Sequence, residues 1–147
     1  MRQETGSEDV GPAKLDAWKL SDDLAVEVFK VSRSLPADLR WLSSQIARAA
    51  TSVPANISEG YTRSSKKEFL QFLSVARSSL AEVEYFIHFL SRTDLIDHDT
   101  CTRLTDLQKR AGRTIFGLMR SVRANLSSGG PSTVREDAGE YVVGDEQ

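Results

Sequence analysis

The chain has 147 residues, 39% apolar and 27% charged, the make-up of one globular domain. No apolar run approaches the roughly 18 residues a membrane-spanning helix needs. The opening MRQETGSEDVGP also lacks the apolar core of a secretory signal, and a lone Cys101 excludes an internal disulfide, so a cytoplasmic protein with no membrane contact is expected. The net charge of −2 conceals an asymmetry: residues 1–16 carry two basic and four acidic groups, and residues 127–147 one basic and five acidic, leaving a body of net +4. Acidic tails on a basic body either solubilise it or compete with an anionic partner for it.

In chain order, residues 1–14 are polar and marked by Gly and Pro, and are expected to be disordered, like the acidic stretch 127–147. Between them lies one domain, 15–126, with four helical periodicities and no strand pattern. The first helix is expected from about Asp16 to Ser34, on a stripe of Leu20, Leu24, Val28, Val31 and Leu35, and Pro36 ends it. The second begins at Ala37 or Asp38 and follows Leu39, Leu42, Ile46, Ala49, Val53 and Ile57. Pro54 falls inside that period, which predicts a kink near Ala50, and Gly60 has the position of a residue just past a helix end.

The third helix opens on Ser65-Lys66-Lys67-Glu68, the pattern of a capping box, and its stripe runs from Phe69 through Leu73, Ala76, Leu80 and Val83 to Leu90. Asp97 is the expected N-cap of the fourth, which follows Leu104, Leu107, Ala111, Ile115, Leu118 and Val122. Short connections make neighbours antiparallel, so the fold class is all-α, an up-down-up-down four-helix bundle.

Three helices carry apolar residues off this core line: Trp18 and Phe29 on the first, Val75, Phe86 and Phe89 on the third, Phe116 and Met119 on the fourth. Aromatics and Met are enriched at subunit contacts, so these residues predict a homo-oligomer.

Cations gather in two places. The second half of the fourth helix holds Arg110, Arg113, Arg120 and Arg123, and the corner before the third helix holds Arg63, Lys66 and Lys67. Solvated helix faces are one reading; contact with the phosphates of RNA or DNA is the other.

No zinc, P-loop, dinucleotide or G-x-S-x-G pattern occurs, and Glu84 with His88 is a surface pair. Neither catalysis, a metal nor a cofactor is therefore expected.

The run QIARAATSVPANISEGYTRSSKKEFLQFLSVARSSLAEVE resembles the signature of the four-helix bundle family named after the ribosomal-RNA intervening-sequence protein. Relatives of that family include the accessory variability protein of diversity-generating retroelements. The matching positions include Arg48, Pro54, Asn56, Glu59, Gly60 and Glu82; Ala47 stands where the pattern has the first of two arginines. The resemblance implies a homopentamer and, in the retroelement branch, a basic surface that binds nucleic acid and a reverse transcriptase. A structural or protein-interaction module without nucleic-acid binding is the alternative. Asn56 and Glu59, three residues apart, are expected to share a hydrogen-bond network at the corner.

Overall fold

The structure, a computed structural model, describes residues 11–128. It contains α1 (Gly11–Ser34), a 3-10 turn (Ala37–Leu39), α2 (Arg40–Tyr61), α3 (Lys66–Arg92) and α4 (His98–Ser128), with no strand among the described residues. Each helix packs on its chain neighbours, α4 closes back on α1, and the backbones of the diagonal pairs stay apart. This is the antiparallel four-helix bundle expected from the periodicity.

The boundaries differ from the sequence reading in physically readable ways. The first helix starts at Gly11, so residues 11–14 are helical; Pro12 fits its first turn, where a missing N–H costs nothing. The rest of the two predicted tails, 1–10 and 129–147, lies outside the described residues. A single 3-10 turn after Pro36, held by the Leu39 N–H donating to the Pro36 carbonyl, precedes α2. Pro54 is buried inside a helix that runs through it without interruption.

The caps are local and specific. Ser65 Oγ accepts the Glu68 amide at 3.1 Å, one of the two bonds of the capping box. Asp97 Oδ1 accepts the Thr100 amide at 2.8 Å, as an N-cap does. The Thr100 hydroxyl and amide, helped by Arg103, hold the Asp97 carboxyl below its ordinary range. At the end of α3, Asp94 takes a left-handed backbone (φ 60°); its N–H reaches Ser91 and that of Leu95 reaches Leu90. Those two bonds are a Schellman motif, with Asp in the place glycine usually fills.

The core lines the bundle axis. Leu24, Ile46, Ile57, Leu73, Ile115 and Leu118 are among its fully buried members. Each helix packs against two neighbours, so its buried arc is wide. That width corrects two predicted interface residues: Met119 is 1% exposed and Phe86 9%, and both belong to the core.

Gly60 is corrected too. The helix continues to Tyr61, and Thr62 caps it with an ordinary right-handed backbone. Gly60 is needed for a close approach, because a Cβ there would sit 2.6 Å from the Phe72 Cβ and 3.0 Å from the Phe69 ring.

Candidate functional site

Three surface regions hold the residues singled out in the sequence. The first is the outer face of α4. At 100° per residue, Lys109, Arg113, Phe116, Arg120 and Arg123 fall within an arc of roughly 80°, opposite Ala111 and Ile115 of the core. All five are exposed. No ion pair engages these four cations among the described residues; Arg120 lies 5.9 Å from the centre of the Phe116 ring. Lys109, a further cation of the fourth helix, belongs to this row with the three arginines.

Arg110 does not. It sits on the α1 side of α4, 3.5 Å from Asp106, in a groove that also holds Glu27 and Arg103. There Arg103 bridges to Glu27 at 2.6 Å and ties α4 to α1. With both side chains partly exposed, that bridge contributes at most about 1 kcal/mol.

The second region is the α2–α3 corner. Arg63 is already occupied: its guanidinium lies 2.6 Å from the Glu59 carboxylate and 4.6 Å over the Phe72 ring. Lys66 and Lys67 are exposed, with no ion pair among the described residues. Antiparallel packing places the start of α3 and the end of α4 at the same end of the bundle, so these lysines share that end with Arg120 and Arg123. Lys14 stacked 4.1 Å over the Tyr61 ring marks the start of α1 there as well.

The third region is a groove of about 330 Å³ between α2 and α3, lined by Gln45, Arg48, Ala49, Ser52, Ser79 and Glu82. Two of these residues, Ser52 and Ser79, belong to a chain of hydrogen bonds. Asn56 Nδ2 donates to the Ser52 carbonyl at 2.8 Å and to Ser52 Oγ at 3.0 Å, and Ser52 Oγ lies 2.8 Å from Ser79 Oγ on the next helix. The expected network therefore divides. Asn56 holds Ser52, which reaches Ser79 on the next helix, while Glu59 faces solvent and pairs with Arg63. The motif spacing of Ser52, Asn56 and Ser79 is thus a device for registering α2 against α3. Removing the Asn56 donor with Asn56→Ala gives up two half-buried hydrogen bonds, about 1–2 kcal/mol in all. A thermal melt should show a midpoint lower by several degrees; an unchanged midpoint rules this role out.

Of the other predicted subunit-contact residues, Phe29 and Val75 are exposed like Phe116, and Trp18 and Phe89 are half-buried. Trp41, 58% exposed near the start of α2, was missed by the sequence reading; its signal is a large aromatic lying off the Leu42–Ile46 line. Glu84 and His88 are exposed beside the α3–α4 groove. Among the described residues no group of three or more His, Cys, Asp or Glu could hold a metal, and no helix is long and apolar enough to cross a membrane.

Fold and surface together define an all-helical bundle whose distinctive polar residues register helices or face solvent. The chain belongs to the 23S rRNA-intervening sequence protein family, whose model matches residues 13–117. A crystal structure of a protein of unknown function from the S23 ribosomal protein family, from Bacteroides thetaiotaomicron, has a similar fold. Its TM-score is 0.69 at 23% identity, covering 74% of this chain and 98% of that one. No curated protein matches.

Proposed function

We propose that this chain is a non-catalytic, oligomeric bundle that binds nucleic acid or a nucleoprotein through its basic surface. The observation that carries the reading is the outer face of α4, where Lys109, Arg113, Arg120 and Arg123 surround an exposed Phe116 without a carboxylate partner. Free cations neutralise phosphates, and an exposed ring offers a base a stacking surface. Lys66 and Lys67 extend the same end of the bundle. By the family resemblance the assembly we propose is a homopentamer, in which one modest basic face becomes a repeated one, working in the cytoplasm as an accessory to a reverse transcriptase.

Binding to a short single-stranded oligonucleotide should weaken steeply with salt. Four phosphate contacts per protomer correspond to a log–log slope of roughly −3. The double variant Arg113→Gln, Arg120→Gln should bind more weakly and flatten that slope by about 1.4. Equal slopes for variant and parent would remove α4 from the contact.

A second reading, a protein-interaction module, is favoured by the exposed Phe29, Trp41 and Tyr85. Absence of oligonucleotide binding at about 50 mM salt, where phosphate contacts are strong, would select it.

A further inference from the structure

The cationic row on α4 has a candidate occupant within the chain itself. Residues 129–147 follow directly from the end of α4 and hold five carboxylates (Glu136, Asp137, Glu140, Asp145, Glu146) against one guanidinium, Arg135. Arg120 and Arg123 stand near that end of α4. We propose that this segment folds back along the outer face of α4 and competes there with anionic ligands.

Length and charge both fit. Lys109, the far end of the row, lies 19 residues up α4 from Ser128, about 28 Å at 1.5 Å per residue. The 19 residues after Ser128 reach up to roughly 65 Å when extended. Gly129-Gly130-Pro131 supplies turn chemistry where the chain must reverse. Glu136 is eight residues past Ser128, and a coil of that length spans about 15 Å. Arg120 lies about 12 Å and Arg113 about 22 Å up the helix, so the first carboxylates meet the centre of the row. Tyr141-Val142-Val143 brings an apolar patch to a face whose one large apolar group is Phe116, 48% exposed. Because the segment is tethered, its effective concentration at α4 is on the order of millimolar, enough for weak ion pairing to occupy the face at low salt.

Docking stands independently of the proposed function; competition rests on the nucleic-acid reading. The test compares the full chain with a full-length variant in which the five carboxylates become amides: Glu136→Gln, Asp137→Asn, Glu140→Gln, Asp145→Asn and Glu146→Gln. Amide and arginine Nε–H signals in 15N-resolved NMR spectra report on α4 directly, and a 20-nucleotide oligo-dT titration reports on competition. At about 50 mM salt, signals of residues 109–123 should differ between the two proteins, and the difference should vanish at high salt. The variant should bind oligo-dT roughly 3- to 10-fold more tightly.

Superimposable 109–123 signals at low salt overturn the proposal even if the oligonucleotide binds the variant better, since the loss of five negative charges favours any polyanion; the nucleic-acid reading then survives alone. Shifted signals without oligo-dT binding to either protein establish docking, overturn competition, and remove the nucleic-acid reading instead.

Discussion

Gly60→Ala is expected to destabilise the bundle by about 2 kcal/mol, within the range for overpacking a tight contact. Helix propensity alone predicts the opposite sign, a gain of about 1 kcal/mol, because the residue lies inside α2. Geometry decides. The new Cβ would lie 2.6 Å from the Cβ of Phe72, whereas carbon atoms rest about 3.5–4.0 Å apart. Both atoms are fixed to helix backbones, so no rotamer change relieves the contact and α2 must move off α3. The Ser52–Ser79 contact is part of that same seam. Gly117→Ala is the internal control: nothing lies within 4 Å of its added Cβ, so it should gain up to about 1 kcal/mol. Thermal unfolding of the two variants should bracket the parent, and a Gly60→Ala midpoint at or above the parent's refutes the close-approach account.

Met119→Asp is expected to abolish the fold. Its side chain is 1% exposed, so the substitution loses the burial of a methionine and leaves a carboxylate without a partner in the core. Together these cost about 5 kcal/mol or more, comparable with the whole stability of many domains. Phe116→Asp, three residues earlier on the same helix, should keep its helical circular dichroism because that ring is half in solvent. Under the proposed function, in which that ring is a stacking surface, it should weaken oligonucleotide binding. A Met119→Asp protein that retains a cooperative melt near the parent's would contradict the burial assigned to that position.

This contrast marks what periodicity could and could not resolve. The core line of each helix was readable because apolar residues three and four apart must share a face. The flanks were not, because a helix in a square bundle buries a wide arc. Phe86 and Met119 look like Phe29 and Phe116 in sequence, yet two face neighbouring helices and two face water. Gly60 was legible as exceptional, but its reason lies in Phe72, which is distant along the chain. Asn56 was legible as a polar group needing partners; that its partner Ser52 would in turn meet Ser79 depended on the register of α2 against α3. Among the cations, sequence located both clusters but not their state. Arg63 and Arg110 have carboxylate neighbours four residues away, Glu59 and Asp106, and the row from Lys109 to Arg123 has none. That i, i+4 spacing was visible, and it separates occupied cations from free ones.

Every packed helix pair except one joins elements consecutive in the chain, the exception being α4 against α1. Such a topology has a low contact order, which places folding in the microsecond-to-millisecond range. It also orders the birth of the molecule on the ribosome. The hairpins α1–α2 and α2–α3 can close while α4 is still being synthesised, and the partly built bundle exposes core residues such as Leu80, which packs beside Gly112 of α4, until the last helix arrives. At the elongation rates of cells, about 5–20 residues per second, the 31 residues of α4 take seconds to appear. During that interval the growing chain presents an open apolar trough, so its greatest exposure to misassociation falls before the surface that would carry its function has been made.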